Sequence, residues 1–207
     1  HSLQGLPDDR VAGHLPDSLG TISALERGSL VHRALEIIGS RGESATDEAL
    51  NLTLQSGQIA PAERDEIEAM LAWYLQTGLS RERVQQASRL RSEMPLSFRL
   101  GDALIEGKLD AVAEQADGQT VDVVDYKTGY GEGDDEEEHR FQLGLYCAGL
   151  EALVKTVRSA TVVYLDGQRL LELEPEDFRR AETEAAEAVA GIRAGNFPRG
   201  AYCDTCA

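Results

Sequence analysis

The stretch EGKLDAVAEQADGQTVDVVDYKTG, residues 106–129, decides the fold of this chain. Asp110 stands near the end of a β-prone run, and Asp125 and Lys127 close a second β-prone run beyond the tight turn Ala116-Asp117-Gly118. A hairpin of this kind carries two carboxylates and a lysine on neighbouring strands. The pattern predicts a divalent-metal site, and phosphodiester hydrolysis is the chemistry that such a site suits best.

The alternation of side chains along a strand places Asp125 and Lys127 on the same face as Val121 and Val123. The charged pair thus ends an apolar surface, where Mg²⁺ or Mn²⁺ would explain it because these cations take oxygen ligands. Asp110 could converge on the same ion, and Lys127 would hold a water or stabilise charge on the phosphate. The alternative is a surface salt bridge, which is the usual explanation of an isolated Asp-x-Lys.

The residues before this hairpin have helical patterns. The clearest helix covers residues 61–77, because its apolar residues recur at helical spacing between Pro61 and Gly78. Another helix is predicted over residues 21–38, ended by Gly39 and Ser40, and residues 1–20 read as a linker or arm. Shorter helical patterns cover residues 47–54 and 81–90. Together they predict a helical lobe, at about residues 41–92, inserted before the sheet.

The second half of the chain alternates strands and helices. Strands are predicted over residues 96–99, 103–114, 120–127, 159–165 and 169–173, and helices over residues 137–154 and 175–194. The last helix would bury Phe178, Ala185, Val189 and Ile192. This order predicts an α/β fold with a mixed sheet, and residues 21–207 would form one domain of a longer polypeptide.

Composition limits the function. The net charge of −17 is unusual for a protein that captures duplex DNA, which normally requires clustered Lys and Arg. Another domain or subunit would therefore deliver the strand. Five consecutive acids at residues 134–138 lie in a predicted solvated loop, residues 131–139, which could instead repel duplex or gate the site. Three cysteines, no signal peptide and no membrane-length apolar run predict a reducing cytoplasmic location.

Two pairs of residues lie one helical turn apart on either side of the hairpin. His32 and Glu36 form one pair, and Gln142 and Tyr146 form the other. A lone helical histidine is more often structural or solvated than a ligand, and Gln142 and Tyr146 alone would be a polar edge of a packed helix.

These motifs together resemble those of a known family. The segments Gly28-x-x-x-His32-x-x-Leu35-Glu36, Glu93, Gly107-x-x-Asp110, Asp125-Tyr126-Lys127 and Gln142-x-x-x-Tyr146 resemble the PD-(D/E)XK nuclease superfamily, and its RecB-type branch most closely. The resemblance covers residues 28–206 and implies a restriction-endonuclease-like mixed sheet flanked by helices.

The resemblance also implies a role for each matched residue. His32, Asp110, Asp125 and the backbone carbonyl of Tyr126 would be the metal ligands. Lys127 would be the catalytic lysine, with Gln142 and Tyr146 orienting the lysine or the substrate phosphate. Glu93 is a weaker candidate whose alternative is a solvated charge at a strand edge, and Glu36 would close the helix face structurally.

The implied activity is Mg²⁺- or Mn²⁺-dependent hydrolysis of DNA, with single strands supplied by a helicase during repair or recombination. Whether such an enzyme is an exonuclease or an endonuclease is left open by these residues. The alternatives are a catalytically silent module of the same fold that holds DNA or assembles a complex, and an unrelated hydrolase of small phosphates.

The C-terminal segment NFPRGAYCDTCA resembles the start of the iron–sulfur cysteine cluster of some family members. Those members hold the cluster with one cysteine before the histidine helix and three at the C-terminus. This chain has no cysteine before Cys147, so no iron–sulfur cluster is expected from it alone. Cys147 reads as a small core residue, and Cys203 and Cys206 as a vestige or half of a zinc site.

Overall fold

The computed structural model of the chain describes residues 22–54, 59–129 and 134–196. The helices are α1 (Ala24–Arg41), α2 (Thr46–Leu54), α3 (Pro61–Gln76), α4 (Asp134–Ala152) and α5 (Pro175–Arg193). The strands are β1 (Arg89–Leu100), β2 (Ala103–Glu114), β3 (Thr120–Lys127), β4 (Thr156–Tyr164) and β5 (Arg169–Leu173). A 3₁₀ turn covers Glu43–Ala45, and a π-helical turn covers Leu79–Val84.

The five strands form one sheet in the order β1-β2-β3-β4-β5. Only β3 and β4 are parallel, and α4 connects them, while all other neighbours are antiparallel. A parallel pair needs such a crossover connection, whereas the antiparallel pairs can be joined by short turns. The predicted α/β fold is confirmed as a mixed sheet flanked by helices, with a group of helices at its N-terminal side.

Two hydrophobic cores cover the two faces of the sheet. On β3, Val121 and Val123 belong to the core under α4 and α5, whereas Val124 and Tyr126 belong to the core under α1, α2 and α3. The alternation of side chains along the strand produces this division. Because both faces of β3 are covered, the strand that carries the acidic motif lies in the middle of three layers.

The prediction for α3 is confirmed in its start and in its buried face. The helix begins at Pro61, a residue that suits the first helical position because its missing N–H would be unpaired there. Its buried residues are those expected from the helical spacing, namely Ile67, Met70, Leu71, Tyr74 and Leu75. The helical lobe is therefore held to the sheet by a regular apolar stripe.

The predicted end of the first helix is wrong. The helix α1 passes through Gly39 and Ser40 and ends at Arg41, before Gly42 with φ +88°. A side chain at Gly39 would place its Cβ 2.6 Å from Leu90 Cδ2. Gly39 therefore serves close packing of the helix against β1 rather than termination.

The helix predicted at residues 81–90 and the strand predicted at residues 96–99 are both wrong in extent. Helical structure ends at Val84, and β1 begins at Arg89 and continues for 12 residues. β1 is an edge strand, because it pairs only with β2. An edge position tolerates polar residues and Pro95, which is why this strand has little alternating apolar pattern.

The prediction of a loop for the acidic run is also wrong. The helix α4 begins at Asp134, so the predicted loop at residues 131–139 is helical from Asp134 onward, and residues 130–133 lie outside the described part. Acidic side chains stabilise the N-terminal turn of a helix by complementing its dipole. On α5, Phe178 and Ala185 are buried as predicted, but Val189 is only half-buried and Ile192 is 57% exposed, so the buried face ends before the last turn of the helix.

The prediction for Cys147 is confirmed, since it is a buried member of the core under α4 and α5. The predicted arm at residues 1–20 and the pair Cys203 and Cys206 lie outside the described residues. Every helix in the described segments is too short or too polar to cross a membrane.

Candidate active site

The strands β2 and β3 separate at the two predicted carboxylates. Their ladder pairs Ala111 with Val124 but does not continue to Asp110 and Asp125. There the backbone N–H of Tyr126 donates to Asp110 Oδ2 at 2.8 Å, so a side chain replaces the next ladder bond. Asp110 lies within β2, whose bounds match those of the predicted strand, and the fork between the strands begins at this residue.

Asp125 is the buried carboxylate of the fork, with 7% of its surface exposed. Lys127 Nζ lies 3.0 Å from Asp125 Oδ2, but this oxygen has no hydrogen-bond partner of good geometry among the described residues. Burial raises the pKa of Asp125 to about 6, against the opposing charge of Lys127, and the charge of Asp110 raises it further. A buried carboxylate with an oxygen in this state is suited to a cation.

The helix α1 brings His32 to the same fork. His32 Nε2 lies 2.9 Å from the carbonyl oxygen of Tyr126, and Nδ1 lies 3.5 Å from Asp110 Oδ1. Burial lowers the pKa of His32, but the hydrogen bond and charge of Asp110 outweigh it, so the pKa lies above its usual value. If Nε2–H donates to the carbonyl, the Nδ1 lone pair faces a carboxylate, an arrangement that favours a proton or a metal ion between them.

Glu93 stands closer to His32 than the sequence suggested. It lies opposite Asp110 between the paired residues of β1 and β2, and its φ is +53°. Its carboxylate ion-pairs with Lys108 and lies 3.9 Å from His32 Nδ1. One ligand atom each from His32, Glu93 and Asp110 fall within 4.8 Å of one another, a group that does not include Asp125.

The conformation of Glu93 is strained, since a residue with a side chain in this region costs on the order of 1–3 kcal/mol. Strain of this kind is typical of ligand sites, where the surroundings hold the residue in place. The signal that could have strengthened the sequence-based candidacy of Glu93 is the hairpin register, because an antiparallel β1 places this acid opposite Asp110. No local pattern predicts its positive φ.

Lys127 is held from two sides. Its Nζ lies against Asp125 and donates to Gln142 Oε1 at 3.1 Å. Gln142 Nε2 in turn lies 3.5 Å from the Tyr146 hydroxyl, one turn further along α4. The structure therefore brings Asp125, Lys127, Gln142 and Tyr146 into one chain of polar contacts.

The two glycines of the motifs permit close approaches at the site. A Cβ on Gly107 would lie 2.5 Å from the ring of Tyr146, and one on Gly28 would lie 3.0 Å from Thr128 Oγ1. The first glycine thus lets the α4 tyrosine pack on β2, and the second lets α1 pack on the end of the acidic strand. Their positions explain why the motifs begin with glycine.

Tyr126 contributes its backbone to the site and its side chain to the core. Its ring is buried, and its hydroxyl lies 2.8 Å from the hydroxyl of Tyr74 on α3. Burial raises the pKa of Tyr74 to about 12. The helical spacing marks Tyr74 only as part of an apolar face and gives no sign of its contact with the Tyr126 hydroxyl. Glu36 bonds to Arg33 on its own helix, in keeping with a structural role.

The donor atoms at the fork are carboxylate oxygens, an imidazole nitrogen and a backbone carbonyl. Hard divalent cations such as Mg²⁺ and Mn²⁺ favour oxygen ligands, and Mn²⁺ also accepts imidazole. The unpartnered oxygen of Asp125 and the facing lone pairs of His32 and Asp110 fit such an ion. Asp166 carries another buried oxygen that has no hydrogen-bond partner in the described part of the chain, but its second oxygen is paired with Arg27.

Comparisons with known proteins bear on the fold and the family of the chain. A solved structure from Eubacterium rectale, named "Putative exonuclease", superposes with a TM-score of 0.51 at 11% identity, covering 87% of this chain and 74% of the other. A structure named SSO0001 gives a TM-score of only 0.32 at 18% identity, covering 86% and 79%. No curated protein matches the sequence. The family profile described as the PD-(D/E)XK nuclease superfamily matches residues 6–207, and the chain belongs to that superfamily.

Proposed function

We propose that this chain is a Mg²⁺- or Mn²⁺-dependent deoxyribonuclease of the RecB type. The observation that carries the proposal is Asp125, a buried carboxylate whose Oδ2 lacks a hydrogen-bond partner among the described residues and lies beside Lys127. A buried carboxylate with a purely structural role would be expected to have donors for both oxygens, as Asp122 has from Arg158 and Ser159. The incomplete pairing of Asp125 beside a lysine supports catalysis over a purely structural role.

His32, Asp110, Asp125 and the carbonyl of Tyr126 would hold the ion, as the resemblance implies. Glu93 is an additional candidate, because its carboxylate falls within the same group of ligand atoms as His32 and Asp110. When bound, a divalent cation offsets negative charge on the phosphate and acidifies water. Binding would also neutralise the repulsion between Asp110 and Asp125 that contributes to the raised pKa of Asp125.

Lys127 would act on the substrate from its place between Asp125 and Gln142. Its ammonium can donate to a non-bridging phosphate oxygen or to the attacking water, and it carries positive charge to where negative charge develops. Gln142 would keep the lysine aimed at the fork, and Tyr146 would keep the amide of Gln142 in place. In this proposal Lys127 is the charged donor, and Gln142 and Tyr146 are positioning side chains.

The substrate would be single-stranded DNA, supplied by a helicase domain or subunit during repair or recombination. Support comes from the net charge of −17, which disfavours independent capture of a polyanion. Within the described segments, Arg81, Arg89 and Arg99 have no acidic partner, whereas the other arginines and lysines lie in ion pairs. So few free cations are too little for tight duplex binding.

The test is cleavage of labelled single-stranded and double-stranded DNA with Mn²⁺, Mg²⁺ or EDTA. Lys127→Ala is compared with the matched control Lys155→Ala, whose lysine pairs with Glu114 and bonds to the Gly118 carbonyl at the hairpin turn. We expect metal-dependent cleavage by the wild type and the control and its loss in Lys127→Ala. A wild type that stays inert with either metal supports the silent module, and an active Lys127→Ala refutes the site assignment.

A further inference from the structure

A cavity of about 300 Å³ opens directly beside the proposed metal ligands. It lies between α1, the π-helical turn and the start of β1, and His32, Glu93 and Asp110 line one end of it. The roles proposed above leave its interior unexplained. A volume at the lower end of the range for small-molecule sites admits one small planar group and excludes a base pair.

Apolar side chains and polar groups contribute about equally to the lining of the cavity. Leu35, Ile38, Leu75, Val84 and Leu90 supply the apolar surface. Besides the charged groups near the metal ligands, the lining carries neutral hydrogen-bonding groups, which are hydroxyls and an amide from Tyr74, Ser80 and Gln85. A nucleobase presents apolar faces and a polar edge, so apolar surface beside neutral donors and acceptors suits a flat heterocycle.

These polar groups are organised by the π-helical turn. Ser80 is buried, and Gln85 Nε2 donates to Ser80 Oγ at 3.1 Å. Gln85 itself lines the cavity and is exposed, so its amide can also contact a bound molecule. The turn thus presents an amide and a hydroxyl side by side, a pair that can both donate and accept hydrogen bonds.

The charges around the cavity select against an anionic occupant. Glu36, Glu93 and Asp110 stand at the end near the metal ligands, and Arg89 at the rim is the one lining residue with a permanent positive charge. A phosphate would meet acidic side chains there unless a cation shielded it. The occupant that fits the interior is therefore neutral, with its phosphate outside the cavity at the fork.

We propose that this cavity receives one unpaired nucleobase from the nucleotide adjoining the phosphate that is cleaved. This inference rests on the proposed nuclease function and adds a reason for single-strand preference. A base can enter an enclosed pocket only after it has left the helical stack and its partner. The apolar side chains of the lining would contact the base faces, and Gln85 and Ser80 would meet its polar edge.

The first arm of the test uses single-stranded oligonucleotides with one abasic residue placed at a known position. Cleavage at one phosphate, at a fixed offset from the abasic residue, is expected to fall about 10- to 100-fold, the range for loss of one base contact. All other phosphates of the same strand should be cleaved normally. A ladder unchanged by the abasic residue overturns the proposal.

The second arm fills the cavity. Ala87 lines it and is half-buried, so Ala87→Phe should occupy the volume, whereas Ala72→Phe on the exposed surface of α3 is the matched control. We expect Ala87→Phe to cleave normal strands as slowly as the wild type cleaves at the abasic offset, and to show no further effect of the abasic residue. The control should retain the wild-type difference between normal and abasic positions.

The two proposals fail differently in these experiments. If normal strands are not cleaved at all in Mn²⁺, the nuclease function fails. If normal strands are cleaved but neither the abasic residue nor Ala87→Phe changes the pattern, only the base site fails. Gln85→Ala guards against misfolding of the larger substitution, and a loss of the abasic effect in this variant would support the site independently.

Discussion

Two buried aspartates lie three residues apart on β3 and differ in how their carboxylate oxygens are paired. Asp122 accepts hydrogen bonds from Gln115, Arg158 and Ser159, with the Arg158 Nε–H bond at 2.9 Å. Asp125 has a lysine nearby but keeps one oxygen without a hydrogen-bond partner among the described residues. The same residue type on the same strand is therefore fully paired at one position and incompletely paired at the other.

The contrast between Asp122 and Asp125 distinguishes a buried charge with a structural role from one with a functional role. At Asp122 the protein supplies the compensating donors itself, and the hydrogen bond to Asp122 raises the pKa of Arg158. At Asp125 burial raises the pKa of the carboxyl group to about 6, because compensation by Lys127 is incomplete. We interpret the second arrangement as compensation left to a metal ion.

The largest effect should come from removing the charge at Asp125. We expect Asp125→Asn to reduce DNA cleavage about 1,000-fold or more, because loss of a metal-binding charge removes several kcal/mol of transition-state stabilisation. Single-turnover cleavage in Mn²⁺ measures the effect. The matched variant Asp122→Asn should stay within a few-fold of wild type. Equal losses in the two variants would erase the distinction between these residues.

The next effect is on stability, and here the larger loss is expected at Asp122 rather than at Asp125. Asp122→Ala should lower the free energy of unfolding by about 2 kcal/mol, since it leaves the buried hydroxyl of Ser159 and the guanidinium of Arg158 without their acceptor. Urea unfolding in EDTA measures this. Asp125→Asn should not be destabilised under the same conditions, and a larger loss there than at Asp122→Ala would contradict the comparison.

The pH dependence of the free energy of unfolding gives a further test of the state of Asp125. The folded-state pKa of Asp125 lies above its unfolded value of 3.8, so the metal-free folded state binds more protons, and this residue makes stability fall as pH rises from about 4 to about 6. His32 acts in the same direction, since its raised pKa contributes stability that is lost as pH rises through it. The expected loss from Asp125 is about 1–3 kcal/mol.

Urea unfolding in EDTA at several pH values tests this prediction. Asp125→Asn should unfold with a flatter pH dependence than the wild type over the range from about 4 to about 6. Addition of Mn²⁺ should stabilise the wild type more at pH 7 than at pH 5, because protons compete with the ion for the carboxylate. A wild type and a variant with parallel profiles would show that Asp125 ionises normally.

The smallest effect concerns the positioning of Lys127. Gln142→Ala removes one of its two contacts and leaves Asp125 in place. We expect cleavage to fall about tenfold, the loss typical of one hydrogen bond to a charged group. The exposed Gln76→Ala on α3 is the control. An unchanged rate in Gln142→Ala would mean that Asp125 alone positions the lysine.

A feature of the fold or the site could be predicted from the sequence where neighbouring residues cause it. It could not be predicted where contacts with distant residues cause it. The hairpin turn at Asp117 and Gly118 was predictable, because Asp117 accepts bonds from Gln119 and Thr120 and Gly118 has φ +67°. The buried face of α3 followed from its helical spacing. The left-handed Glu93 was not predictable, since it depends on tertiary contacts with β2 and α1.

The separation of β2 from β3 was hidden for the same reason. Both strands read as continuous β-structure, and only the bond from the Tyr126 N–H to Asp110 reveals where the ladder stops. The run of acids from Asp134 was misjudged because a solvated loop and a helix N-terminus favour the same residues. Sequence alone also could not separate Asp122 from Asp125, because Arg158 approaches from a different strand.

The most direct test of the central claim is a calorimetric titration of Mn²⁺ into the wild type, Asp125→Asn and Asp122→Asn at pH 7.5. The account predicts that the wild type and Asp122→Asn bind with the same affinity and that Asp125→Asn binds at least tenfold more weakly. Equal binding by Asp125→Asn and the wild type would contradict the claim that the unpartnered oxygen of Asp125 is kept for a metal ion.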